Sequence, residues 1–148
     1  YKSQRAEITN PFKQKGDAQA AVTGADVVIG LSGPKTITAK HIRAMNTDPI
    51  VFALANPIPE IQPEVAKAAG AAIIATGRSD FPNQINNSLV CPGIFRGALD
   101  KRKKSITVKM KLQAAKKLAA MVKKPTAKKV IPGVMQSGLV KQVASAVS

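Results

Sequence analysis

Three short apolar runs, each flanked by helix-like segments and each ending in small residues, constrain this chain more than any other feature. ADVVIGLSG (25–33) sets Val27, Val28, Ile29 and Leu31 around Gly30, and PIVFALAN (49–56) and AAIIATG (71–77) repeat the arrangement. Their apolarity is continuous rather than alternating, which predicts strands buried on both faces, as in a parallel sheet. Helical spacing fills the gaps between them. GDAQAAVTG (16–24) is bounded by glycines, and TAKHIRAMN (38–46) starts from Thr38 as an N-cap with Ile42 and Met45 on one face. EIQPEVAKAAG (60–70) reads as a helix closed by Gly70. Helices alternating with strands through brief loops require parallel pairing with right-handed crossovers. The predicted architecture is α/β.

Residues 1–16 are polar, with a turn at Asn10, Pro11 and Phe12. SLVCPGIFRGALDKR (88–102) is helical in composition, with Pro92 and Gly93 predicting a kink or junction. VKMKLQAAKKLAAMV (108–122) carries an apolar stripe of Val108, Leu112, Ala115, Leu118, Ala119 and Val122, with Lys109, Lys116 and Lys123 on another face. KKPTAKKVIPG (123–133) reads as a loop and SGLVKQVASAV (137–147) as a last short amphipathic helix. No apolar run approaches the roughly 20 residues that cross a bilayer, and the opening YKSQRAEITN has no apolar core of a secretory signal. The single Cys91 excludes an internal disulfide and fits a reducing compartment. A cytoplasmic location, away from membranes, is the expectation.

The charge is lopsided. Of the net +15, residues 101–148 supply 13 Lys or Arg and no acid at all. Such a segment reads either as a solvated helical face or as a surface for a polyanion. Nucleic acid is disfavoured, because one Tyr, no Trp and no Arg-rich stripe provide neither stacking nor bidentate base readout.

In open parallel sheets, ligands bind beyond the carboxyl ends of the strands. Those ends are Gly30, Ser32 and Gly33 after the first run, Ala55 and Asn56 after the second, and the amide-rich stretch 76–87 after the third. Small residues let a flat ligand approach the backbone, and each Asn offers donors and an acceptor. Within GRSDFPNQINN (77–87), residues 80–82 predict the chain reversal, while Asn86 and Asn87 open a helix at the strand-tip edge. Turn geometry alone is the plainer account of the glycines.

The chemistry of proton transfer and metal binding is thinly represented. Neither G-x-G-x-x-G nor G-x-x-x-x-G-K-[ST] occurs. There is one His, one Cys and no close pair of carboxylates, so a self-contained metal site is not expected. His41 reads as a surface residue beside Lys40, and Cys91 as a small buried hydrophobe between Val90 and Pro92.

Taken in order, GADVVIGLSGPKTIT, PIVFALANPIPEI, ATGRSDFPNQINN and PGIFRGALD resemble the C-terminal part of the NAD(P)-binding domain of malic enzymes, most nearly the short prokaryotic type. The resemblance runs over residues 6–125. It implies a Rossmann-like parallel sheet with flanking helices, whose first strands and Gly-rich loop are missing from this chain. Residues 1–125 would form that part of the domain and 126–148 a C-terminal basic loop and helix. Malic enzymes oxidatively decarboxylate L-malate to pyruvate and CO2 with NAD or NADP and with Mg2+ or Mn2+. By the resemblance, Asn56 matches an amide that contacts malate or the nicotinamide ribose. Asn86 and Asn87 match the pair holding malate, and Asn86 also the nicotinamide end of the cofactor. Gly30, Ser32 and Gly33 lie where the chain passes the dinucleotide.

The same resemblance implies that the catalytic Tyr and Lys and the metal-binding carboxylates belong to upstream segments, so no catalytic or metal position is expected here. It departs at Ile131-Pro132-Gly133-Val134-Met135-Gln136, where the family places a carboxylate, an aromatic and an Asp after Ile-Pro. The implied partners are L-malate, the N-terminal half of such an enzyme and a second copy in a homodimer. The 148 residues alone are expected to be inactive, and their unpaired sheet edge to invite association. Two other readings stand beside this one: a non-catalytic remnant that acts through contacts, and a basic polyanion-binding module.

Overall fold

The computed structural model describes Asn10, Lys13 and residues 15–148; the turn predicted at Pro11 and Phe12 lies outside the described residues. Strands β1 (Val27–Gly30), β2 (Ile50–Ala53) and β3 (Ile73–Thr76) pair in parallel in the order β1-β2-β3. Their register aligns Val27 with Ile50 and Ile73 at one end, and Gly30 with Ala53 and Thr76 at the other. All three carboxyl ends therefore form one edge. The α/β architecture agrees with the sequence pattern.

Helices α1 (Ala18–Val22), α2 (Ala39–Arg43) and α3 (Pro63–Ala68) feed the strands. Each begins where its local chemistry satisfies a helix end. The Asp17 carboxylate accepts from the Ala20 amide at 2.9 Å, and the Thr38 hydroxyl accepts from the His41 amide at 3.4 Å. The Thr38 amide in turn donates to His41 Nδ1 at 3.2 Å, so the only histidine serves as a helix cap. Pro63 opens α3 because its missing N–H would be unpaired there. The helix consequently starts three residues later than predicted and leaves Glu60 outside it. Gly70, at φ +108°, follows the end of α3.

Side chains alternate across a strand. Val28, Val51, Ala53 and Ile74 face the helices and pack with Ile37, Ile42, Met45, Ile61 and Ala66. Val27 and Ile29 face the other way and are 45% and 56% exposed. The strands were expected to be buried on both faces; the second face is covered at β3, where Ala75 is wholly buried, and open at β1. Right-handed crossovers that advance steadily through β1, β2 and β3 put every connecting helix on the same side.

A second cluster forms from a 3-10 turn (Asn87–Leu89) and helices α4 (Cys91–Asp100), α5 (Val108–Ala120) and α6 (Leu139–Ala144). Leu89, Ile94, Met110, Ala114, Leu118, Leu139, Val143, Ala146 and Val147 are its buried residues. Residues 139–147 thus share one core with 89–118. Pro92 stands in the first turn of α4 rather than kinking it, as a residue with no N–H to offer is best placed there. Cys91, expected to be buried, is half-buried.

The buried face of α5 also differs from the expected stripe. Met110, Ala114 and Leu118 point inward, whereas Val108 and Leu112 are 67% and 59% exposed. Both faces carry apolar residues at helical spacing, and packing against α6 selects the one that includes Met110.

Asn83 ties the two halves of the chain together. It sits at φ +57°, a left-handed conformation that Asn tolerates better than most residues. Its buried carboxamide donates to Ile74 O (3.0 Å) and Ala127 O (2.8 Å) and accepts from the Val130 amide (2.8 Å). The loop after α5 is thereby fixed to the outer edge of β3. Asn83→Ala strands three backbone groups and is expected to cost about 2 kcal/mol, read as a fall in the urea midpoint. A midpoint equal to that of the parent chain would contradict this account.

Candidate functional site

The carboxyl ends of β2 and β3 enclose an open cleft of about 520 Å3, lined by Asn56, Pro57, Arg78, Asp80, Gln84 and Asn86 among others. The β2 tip reaches it through Leu54, whose amide closes the ladder on Gly30 O at 3.1 Å, and then through the cis peptide between Asn56 and Pro57. The β3 tip turns out at Gly77 and returns alongside the strand. The Ile85 amide donates to Thr76 O at 2.7 Å, and Gln84 bridges Thr76 in parallel. That return brings Gln84 and Asn86 to the same side as Asn56.

Asn86 is held rigidly. As N-cap of the 3-10 turn it accepts from the Ser88 amide at 3.0 Å, and its Nδ2 donates to Gly77 O at 3.3 Å. One N–H and one lone pair remain for a ligand. Asn56 and Asn87 are exposed, and neither carboxamide has a partner among the described residues. Of the residues expected at the site, Asn56 and Asn86 meet in the cleft. Asn87 stands beside it at the start of the 3-10 turn, and Gly30, Ser32 and Gly33 lie one strand away at the β1 tip.

Arg78 forms the floor of the turn. Its Nε and one terminal nitrogen hold both oxygens of Asp80 at 2.8 and 2.6 Å, and its other terminal nitrogen donates to Pro57 O at 3.2 Å. The guanidinium also lies 5.4 Å from the centre of the Phe81 ring. One side chain therefore ties the β3 loop to the β2 loop. Hydrogen bonding to Arg78 lowers the Asp80 carboxyl below its ordinary 3.8, and the same bond raises Arg78. A depressed carboxyl stabilises the paired state above the unfolded value and stops doing so as pH falls through the folded one. The latch is thus expected to hold at neutral pH and to open only as pH falls below the ordinary carboxyl range. The Arg78 Nε–H resonance reports it, and Asp80→Asn should remove the transition.

Sequence reasoning did not single out Glu60. It is wholly buried and bridges two strand tips. The Ser32 amide donates to its Oε1 at 2.9 Å, and the Ala55 amide to its Oε2 at 3.0 Å. A Cβ on Gly30 would lie 2.6 Å from Glu60 Cδ, so this glycine leaves room for the carboxylate. The signal in the sequence was the small residue ending β1, which hints at a close neighbour without naming it. The Ser32 hydroxyl pairs with Thr36 Oγ1 at 2.9 Å, and Thr36 in turn donates to Gly33 O. The β1 tip consequently presents backbone more than side chain.

A larger hollow, about 620 Å3, lies between α4 and residues 134–144. Two of its charged walls, Arg96 and Asp100, are paired with one another at 2.8 Å, and no amide cluster faces it. The strand-tip cleft is the site with convergent hydrogen-bonding groups. Among the described residues no three His, Cys, Asp or Glu side chains could hold a metal ion together.

Comparison with known proteins bears on what such a cleft is for. The family model described as "Malic enzyme, NAD binding domain" matches residues 1–148. The chain is 48% identical over 149 residues to the NAD-dependent malic enzyme of Geobacillus stearothermophilus, covering 99% of this chain and 31% of that protein. It is 49% identical over 112 residues to the NADP-dependent malic enzyme of Halomonas elongata, covering 75% and 26%. The crystal structure of the NAD-dependent malic enzyme of Thermotoga maritima superimposes with a TM-score of 0.92 at 44% identity, covering 98% of this chain and 38% of that one. The chain thus spans about a third of the length of the relatives it matches.

Proposed function

The chain belongs to the family of malic enzyme NAD-binding domains, and on that premise we propose that it forms one wall of the cleft of a malic enzyme. The reaction is the oxidative decarboxylation of L-malate to pyruvate and CO2, with NAD or NADP becoming NADH or NADPH. The observation that carries the proposal is the meeting of Asn56 and Asn86 at the ends of adjacent strands, with donors and acceptors left over.

In this reading the chain orients and does not transfer protons. Asn86, fixed at both ends of its carboxamide, gives its remaining N–H and lone pair to the hydroxyl or carboxylate of malate or to the nicotinamide end. Asn56, with its whole carboxamide unengaged, serves the other side of the same ligand, and Asn87 reaches malate from the rim. Gly30, Ser32 and Gly33 let the dinucleotide pass close to the backbone. When bound, the dinucleotide accepts the hydride from C2 of malate. Holding both reactants in one geometry is the entropic part of catalysis. The Mg2+ or Mn2+ of such an enzyme would act as a Lewis acid when bound, and among the described residues no three His, Cys, Asp or Glu side chains stand together to hold it.

The bare sheet face with Val27 and Ile29 supports a contact with the upstream part of the enzyme, and a homodimer of the whole. The free, half-buried Cys91 suits a reducing cytoplasm. A segment exchange tests the function. This chain would replace the matching third of the Geobacillus stearothermophilus protein, and malate-dependent reduction of NAD or NADP would be followed by absorbance. Turnover is expected; a folded chimera without it would sink the reading.

A further inference from the structure

We infer that Glu60 is a positioning residue, whose buried carboxylate fixes the separation of the two strand tips that carry Ser32–Gly33 and Asn56. What those tips hold rests on the malic-enzyme reading; the clamp itself rests on geometry. Beyond Leu54, whose amide forms the last rung to Gly30 O, the β1 and β2 chains diverge with no ladder between them. Glu60 spans that gap, taking Ser32 N–H on one oxygen and Ala55 N–H on the other at 2.9 and 3.0 Å. Its own carbonyl accepts from the Ile37 amide at 3.3 Å, so the loop 31–37 is tied at both ends to one residue.

An acid is needed at this position. Burying a carboxylate is costly unless it is hydrogen-bonded, and no cationic side chain pairs with Glu60 among the described residues. A glutamine of the same shape has a single acceptor oxygen. Its NH2 would face one of the two amides and push that tip away. Gly30 completes the arrangement by leaving the space that Cδ and Cγ of Glu60 occupy. Asn56 follows Ala55 directly, so displacement of Ala55 re-aims Asn56.

Site-resolved amide exchange and 15N relaxation on the chain test this, with Glu64→Gln as the control on an exposed acid nearby. In the parent chain the Ser32 and Ala55 amides should be protected. Glu60→Gln should speed exchange at one or both by about tenfold or more, because charge-assisted bonds are among the stronger ones. It should also loosen Gly33 and Asn56 while Ile50, Leu54, Gly77 and Asn86 stay as they were. Loosening spread equally over Gly77 and Asn86 would make Glu60 merely a stability residue and overturn the inference. Should that variant fail to fold, coupling across the hydrogen bonds from the Ser32 and Ala55 amide nitrogens to Glu60 Cδ in the parent chain decides, and its absence overturns the clamp. Neither malate nor dinucleotide enters these measurements. A silent chimera therefore removes the reaction and leaves the clamp, and a failed clamp leaves the chimera's turnover standing.

Discussion

Replacing Gly97 by leucine is expected to lift α6 from α4 and to lower the stability of the chain by about 3 kcal/mol or more. Gly93 and Gly97 lie one turn apart on the face of α4 that meets α6. A Cβ on Gly97 would stand 2.5 Å from Ala144 O and 2.9 Å from Val147 Cγ2; on Gly93 it would stand 2.5 Å from Val143 Cβ. All three neighbours are backbone or branched core atoms, which cannot swing aside as the tip of a long side chain can. Interiors are packed too closely to absorb such an insertion. Since Val143 and Val147 are wholly buried in the helical cluster, their displacement opens that core. Guanidinium unfolding followed by helical circular dichroism measures the loss. Gly133→Ala is the matched control, for no atom lies within 4 Å of its added Cβ, and it should be close to neutral.

The second large effect is on activity and not on folding. The Asn56 carboxamide has no hydrogen-bond partner among the described residues, so Asn56→Ala should leave the stability within about 0.5 kcal/mol of the parent. Asn86→Asp keeps the oxygen that caps the 3-10 turn while removing the donor and adding a charge opposed to the carboxylates of malate. In the chimera the pair of changes is expected to lower kcat/KM for malate by about 100-fold, the usual consequence of misplacing a bound reactant. Turnover at the parental rate from a double variant of normal stability would mean that these amides are not the wall of the cleft.

Much of the sheet was legible because parallel strands announce themselves. VVIG, IVFA and IIAT are almost unbroken apolar runs, and Thr38 and Gly70 mark helix ends between them, whereas the pattern opens the helix of Pro63 three residues too early. The α5 face was only partly legible: Leu118 of the expected stripe is buried. Val108, Leu112 and Ala115, however, compete with Met110 and Ala114 at the same spacing, and only the position of α6 decides. Pro92 left a kink and a junction open, and it stands at the junction, where the 3-10 turn gives way to α4. Asn86 stood out as an amide at a strand tip. Glu60 and Asn83 did not, for their importance lies in partners 28 and 47 residues away. A bond across that distance leaves no local trace in the chain.

Among the described residues the two packed clusters share no buried residue: one belongs to the sheet and its helices, the other to α4, α5 and α6. Asn56 is carried by the first, whereas Asn86 stands on the turn that leads into the second through Leu89. A ligand gripped by both amides would therefore act as a rivet between two units that can otherwise open at different free energies. Occupancy would do more than add stability by mass action. It would make the halves melt as one, so that the cooperativity of unfolding becomes a property of the bound state.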